Sequence, residues 1–178
     1  MKRGSGLAAM AAGLLLLAGC GPEEGKESAV EFAEAACSGW TKAHDALKVA
    51  KEAPDGIDGS NTAHDEALAV FQDYEQAVND AREATSAVEL DVEDGAEITA
   101  MFDEYYTSWA EGIAPALEAF ASSAKEGDEV QVDISEAKLA LTSAEPSPLK
   151  APWNHIESQP VINAFDDTAA CGDIVNVY

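Results

Sequence analysis

Basic residues are scarce in this sequence. Its 178 residues include 34 Asp and Glu but only 10 Lys and Arg, which gives a formal net charge of −24. Proteins that bind nucleic acids draw much of their affinity from a basic surface that meets the phosphates. The charge balance therefore excludes nucleic acid as a partner. The acidity itself has two interpretations: a solvated surface that keeps the protein soluble, or a binding surface for a basic or cation-rich partner. The sequence favours the first, because the acidic residues are spread along the chain.

The sequence motifs of common enzymes are also missing. The chain has no glycine-rich phosphate-binding loop, no Gly-x-Ser-x-Gly nucleophile elbow and no His-Glu-x-x-His zinc motif. Acidic residues are so numerous that no particular pair stands out as a general acid and base. We therefore expect a protein that is not an enzyme and that uses no cofactor.

A hydrophobic run long enough to span a bilayer is missing as well. The apolar run near the start covers eleven residues, 7–17, whereas a membrane-spanning helix needs about 20. Two basic residues precede this run, and the small residues Ala18 and Gly19 follow it. This is the pattern of a cleaved secretory signal peptide. The sequence therefore predicts a cleaved signal over residues 1–19 and a mature chain outside the cytoplasm.

The residues at the expected cleavage site resemble a known motif. Leu17-Ala18-Gly19-Cys20 resembles the lipobox of bacterial lipoproteins. The resemblance implies that the Cys20 thiol receives a diacylglyceryl group, that the signal is removed before Cys20, and that the new amino terminus is often acylated as well. It predicts a protein anchored by lipid to the extracytoplasmic face of the cell membrane, with a tether over 20–26 and a single domain over 27–178. The alternative is a secretory signal with a chance cysteine beside it.

Cysteine is scarce too, with three residues in the whole chain. An odd number of cysteines in an exported protein requires an explanation. Lipid on Cys20 would leave Cys37 and Cys171 as a pair in an oxidising compartment, where disulfides form. We therefore expect a Cys37–Cys171 disulfide. The alternative is two buried free thiols.

Apolar residues recur at spacings of three and four along most of the domain, as they do on one face of a helix. Four such stripes run over 30–47, 64–88, 98–124 and 130–141. In the fourth, Val130, Val132 and Ile134 also alternate as in a strand. A proline-rich loop then precedes a last helix, predicted from Pro160 to Cys171. The pattern predicts an all-α fold, an up-and-down bundle of four main helices with a short fifth, clipped by the disulfide.

Two helix ends have recognisable local signals. Ser28 and Glu31 have the spacing of a capping box, which predicts Ser28 as the cap of the first helix. Gly172 directly follows the last predicted helix and is expected to end it.

Two histidines are candidate metal ligands. His44 and His64 lie in similar Ala-His-Asp fragments, on the apolar stripes of consecutive antiparallel helices. The sequence predicts that the two approach each other at one end of the bundle. Imidazoles with carboxylates nearby bind Zn²⁺ or Cu²⁺. The alternative is that each histidine is half-buried and hydrogen-bonded at a helix boundary.

Four aromatic residues are candidates for a ligand pocket or a contact surface: Trp40, Tyr105, Tyr106 and Trp109. Three of them fit the core stripes, so packing in the core is the first expectation for these three. Tyr106 falls off the stripe, which makes it a candidate for a contact surface or a pocket mouth. A cavity lined by Trp40, Tyr105 and Trp109 would favour a small-ligand receptor. A tightly packed core would favour a protein that binds through its surface.

The domain also resembles the small helical lipoproteins of high-GC Gram-positive bacteria. The resemblance rests on abundant alanine, high acidity, a cysteine in the first helix and another near the end, and it implies no activity. The expected function is a non-catalytic binding, accessory or scaffold module of the cell envelope. Its expected partners are the membrane, through lipid on Cys20, and another envelope protein. The alternative is a receptor for a small ligand or a divalent cation, with a pocket between bundle helices.

Overall fold

The structure is a computed structural model that describes residues 25–53, 61–123, 129–147 and 150–175. The predicted signal peptide, the lipobox and Cys20 lie outside these residues, so lipid attachment stays a prediction. Within the described ranges, no helix combines the length and the apolar composition needed to cross a membrane.

Four long helices form the predicted up-and-down bundle. They are α1 (Lys26–Lys51), α2 (Asn61–Ser86), α3 (Gly95–Ala121) and α4 (Glu129–Ser143). Each packs along the next in chain order, and a shorter helix, α5 (Gln159–Asp167), lies against α1. Two single 3₁₀ turns, Pro152–Asn154 and Ala169–Cys171, flank α5, and a four-residue helix, α6 (Gly172–Val175), follows. The all-α class and the four main helices with a short fifth are confirmed.

The core forms where the apolar stripes of these helices meet. Phe32 of α1 and Phe102 of α3 are fully buried and touch edge to face, with their ring centroids 5.1 Å apart. Burying one such side chain contributes about 1.5–3 kcal/mol. α1 and α2 pack closely at Gly39 and Ala81, since a Cβ added to Gly39 would lie 2.8 Å from the Ala81 Cβ.

The Cys37–Cys171 disulfide joins the C-terminal segment to α1. The two Cα atoms are 5.1 Å apart, and both side chains are fully buried in the core. The expected disulfide is therefore confirmed. It fastens the 3₁₀ turn after α5 to the middle of α1, and so holds the last elements against the four-helix bundle.

Two predicted helix ends are wrong. The first helix begins at Lys26, after Gly25, whose φ of 86° is a left-handed conformation that glycine adopts without strain. Ser28 therefore lies inside the first turn, where its hydroxyl donates to the Gly25 carbonyl and accepts a hydrogen bond from the Asp91 amide, both at 3.1 Å. At the other end, Gly172 has right-handed helical angles and begins a short helix, so it does not end one.

Candidate functional site

The aromatic residues form a packed cluster inside the bundle. Trp40, Tyr105, Tyr106 and Trp109 are each at most 6% exposed. Tyr105 lies 6.0 Å from Trp109 between ring centroids, and Trp153 closes the cluster at 5.8 Å from Trp40 and 5.9 Å from Tyr105. Rings at these separations are in contact. The four candidates therefore come together in the packed core, and Tyr105 at its edge also lines a surface groove.

Tyr106 is buried, so its predicted place at a contact surface or a pocket mouth is wrong. Its ring stacks nearly parallel to that of Trp109, and its hydroxyl donates to the Ala36 carbonyl at 3.1 Å. Burial raises the pKa of this hydroxyl above its usual value near 10. The cause of the error is that α3 faces more than one neighbour. Tyr106 reaches diagonally to α1 from a side of α3 that a single stripe leaves outside the core.

A polar network runs through the same cluster. The Trp109 indole N–H donates to the Tyr74 hydroxyl at 2.5 Å. Burial raises the pKa of Tyr74, the hydrogen bond from Trp109 opposes that rise, and the charge of Glu145 adds to it. Glu145 in turn lies 2.8 Å from His44, between Oε1 and Nε2, although the two groups are not aligned as a hydrogen bond. The His44 ring packs against Trp40 at 3.7 Å. The hydrogen bond joins α2 to α3, and the His44–Glu145 contact joins α1 to the residues that follow α4.

The two histidines do not share a site, so their predicted approach is wrong. His64 is fully buried, stacks on Phe120 at 4.5 Å and has its Nε2 3.2 Å from the Phe120 carbonyl oxygen. His44 instead contacts Trp109, eleven residues earlier on α3, which is about 16 Å along the helix axis. The separation arises because α1 continues for almost two turns beyond His44 before the chain reverses.

No group of three His, Cys, Asp or Glu side chains is placed to hold a metal ion in the part of the chain that the structure describes. His44 meets one carboxylate at a position about one-fifth exposed. The His64 ring packs on Phe120, and its Nδ1 lies 3.5 Å from Oδ1 of the exposed Asp65 carboxylate. The alternative, a half-buried and hydrogen-bonded histidine at each helix boundary, is met only in part. His64 is fully buried with its Nε2 at the Phe120 carbonyl, whereas His44 is about one-fifth exposed and its Nε2 makes no aligned hydrogen bond.

The surface has several open grooves, of about 230–590 Å³, and one of them reaches the edge of the cluster at Tyr105. One groove of about 230 Å³ lies between α3 and α4 and is lined mainly by alanine and Phe120, together with Asp133 and Glu136. Another, of about 270 Å³, lies beside Tyr105 and also includes Lys150 and His155 among its lining residues. Neither is lined by Trp40 or Trp109.

The helix α4 carries large apolar side chains on two opposite faces. Val130, Ile134 and Leu141 face the core and are fully buried. Val132 is 55% exposed and Leu139 is 70% exposed. These two are seven residues apart, so they lie on one face of the helix, opposite the buried stripe. We did not single out this face from the sequence, although the spacing of Val132 and Leu139 is a signal that could have revealed it.

Comparison with protein-family models, with curated proteins and with solved structures finds no match to this chain. Three features of the chain itself bear on its function: the packed aromatic cluster, the acidic surface and the exposed face of α4.

Proposed function

We propose that this protein is a lipid-anchored accessory or scaffold protein of the bacterial cell envelope, which binds another envelope protein and catalyses no reaction. The observation that carries this proposal is the packing of the aromatic cluster. Trp40, Tyr106 and Trp109 are at most 5% exposed. A receptor for a small ligand needs a concave site that encloses most of the ligand. A filled core at the predicted pocket favours binding through the outer surface instead.

Lipid anchoring is supported by the sequence Leu17-Ala18-Gly19-Cys20 and by the apolar run that precedes it. The Cys37–Cys171 disulfide adds to this support in two ways. It fits an oxidising, extracytoplasmic compartment, and it accounts for two of the three cysteines, leaving Cys20 for lipid. The six residues from Cys20 to the start of α1 at Lys26 would hold the bundle within about 20 Å of the bilayer.

The anchor is tested with Cys20→Ala. We expect the native protein to sediment with membranes and to carry the added mass of a diacylglyceryl group. The variant should lack that mass and appear in the soluble extracytoplasmic fraction. The control is Val49→Ser, a substitution at an exposed position that leaves Cys20 in place, which should keep both the lipid and the membrane fraction. If the Cys20→Ala protein still sediments quantitatively with membranes, lipid is not the anchor.

The binding function is tested on the native, lipidated protein. Cross-linking in intact cells with an amine-reactive reagent should give a discrete adduct that contains a second envelope protein. Native mass spectrometry of the same protein, purified without chelator, should show a chain with no stoichiometric small molecule. A bound ligand or metal at one per chain would contradict the proposal and support the receptor alternative. An unchanged monomer in the cross-linking experiment would contradict it as well.

A further inference from the structure

We infer that the outer face of α4, with the adjoining groove between α3 and α4, is the docking surface for a cationic amphipathic helix of the partner protein. By the α4 outer face we mean Val132, Ser135, Glu136 and Leu139. The inference rests on the proposed function, because it names where and how the partner binds.

An exposed apolar pair lies on the side of α4 that faces away from the core. Val132 and Leu139 are separated by about 10 Å along one side of α4. Single exposed apolar residues are ordinary on protein surfaces. This pair is different because the opposite stripe of α4 already packs in the core, so the fold gains nothing from a second stripe. Two apolar side chains at this spacing suit the recognition of a helix through residues at i, i+3, i+4 and i+7.

The groove between α3 and α4 lies beside this pair. Glu136 belongs to the α4 outer face and also lines the groove, together with Ala137 and Ala140 of α4 and Ala116 and Ala119 of α3. Alanine side chains are short, so a partner helix can approach the backbones of α3 and α4 closely. Because Glu136 belongs to both, the exposed face and the groove form one continuous surface across which a partner helix can lie.

The negative charge of this surface favours a cationic partner. Asp133 and Glu136 line the groove. Helix α4 contains three acidic residues and one lysine, and α3 contains five acidic residues, of which Asp103 is paired with Arg82 of α2. The chain from Cys20 onward has 8 basic and 34 acidic residues. Such a surface repels anionic lipid headgroups and a second copy of itself, and it attracts a partner whose apolar residues are flanked by Lys and Arg.

The test uses full-length, lipidated protein in living cells. A photoreactive benzoylphenylalanine replaces Ser135, an exposed residue between the two apolar positions. The matched position is Val49 of α1, which is 55% exposed, as Val132 is. We expect an adduct from position 135 and none from position 49. The partner peptide in that adduct should carry apolar residues at helical spacing, flanked by Lys and Arg.

Variants then separate the apolar and charge contributions. Val132→Ser/Leu139→Ser should lower the adduct yield about tenfold or more, since truncating a central anchor commonly weakens binding by that factor. Asp133→Asn/Glu136→Gln should lower it severalfold and reduce its dependence on salt. Val49→Ser should leave it unchanged. Formation of the Cys37–Cys171 disulfide, read on the same gel, shows that each variant has folded.

Each other outcome overturns the inference. These outcomes are an adduct with lipid, an adduct with a second copy of this chain, a partner peptide without basic residues, and no adduct at position 135. If position 49 captures a partner and position 135 does not, the accessory function stands and only the surface is wrong. If neither position nor the amine-reactive reagent yields a partner, the accessory function fails too.

Discussion

Removing the Cys37–Cys171 disulfide should cost this domain a large share of its stability. The two cysteines are 134 residues apart, so the bond restricts nearly the whole unfolded chain. In the chain-entropy description, a loop of this length is worth about 5 kcal/mol at 25 °C. The free energy of unfolding of ordinary domains is about 5–15 kcal/mol. Cys37→Ala/Cys171→Ala should therefore lower the stability by several kcal/mol. Alanine is the better replacement, since a buried serine would add an unpaired hydroxyl group.

The assay is equilibrium urea denaturation, followed by the fluorescence of the buried tryptophans. The midpoint for the double variant should fall well below that of the native protein. The native protein treated with a reductant should move toward the variant, and the variant itself should not respond. A loss below about 1 kcal/mol would refute the reasoning. It would mean that the unfolded chain is not restricted by the bond, or that the segment around Cys171 contributes little to the native state.

Three further predictions concern helix packing, the two faces of α4 and a buried hydroxyl. Gly39→Ala should lower the free energy of unfolding by about 1–3 kcal/mol despite the better helix propensity of alanine, because the new Cβ would lie 2.8 Å from that of Ala81; equal urea midpoints would contradict it. Leu139→Ala should change the free energy of unfolding by less than about 0.5 kcal/mol. Leu141→Ala, at a fully buried position, should lower it by about 2–5 kcal/mol in the same assay. Similar losses for the two variants would contradict the assignment of the exposed and buried faces of α4. Burial raises the pKa of Tyr106, so the folded state keeps the proton to a higher pH than the unfolded chain, and stability should fall as the pH rises above about 10. Tyr106→Phe should make this fall shallower by up to ~1.4 kcal/mol per pH unit, measured by urea denaturation between pH 9 and 11.5, and an unchanged slope would contradict it.

The bundle could be predicted from the sequence because each long helix has a strong local signal. The stripes beginning at Val30, His64 and Ile98 repeat at helical spacing over many turns, and those residues lie in α1, α2 and α3. Helix ends are weaker signals. The cap of α1 was misplaced because Ser28 has the right spacing to Glu31, while the left-handed backbone at Gly25 leaves no mark in a single sequence apart from the glycine itself.

Helical periodicity in the sequence does not predict the contacts of the candidate site. The stripe rule assumes that a helix has one buried side, so it placed Tyr106 outside the core, although its hydroxyl reaches Ala36 on another helix. Glu145 and Trp153 lie in the segment after α4, which has no helical period, and only tertiary structure brings them to His44 and Trp40. The two histidines do not meet because α1 continues for almost two turns beyond His44, and a single apolar stripe does not show where its helix ends.

The ambiguity in the fourth helix has a physical reason that bears on its proposed role. Val130, Val132 and Ile134 alternate with polar residues as in a strand, yet all three lie in α4. They alternate because α4 is apolar on two opposite faces: Val130 and Ile134 are buried, and Val132 is 55% exposed. A helix that only packs on a bundle needs one apolar stripe. Leu139, seven residues after Val132, lies on the same outer face and is 70% exposed. Val132 and Leu139 therefore both depart from the single-stripe pattern and form the apolar part of the surface proposed for the partner. Substituting them tests the function of this second apolar face.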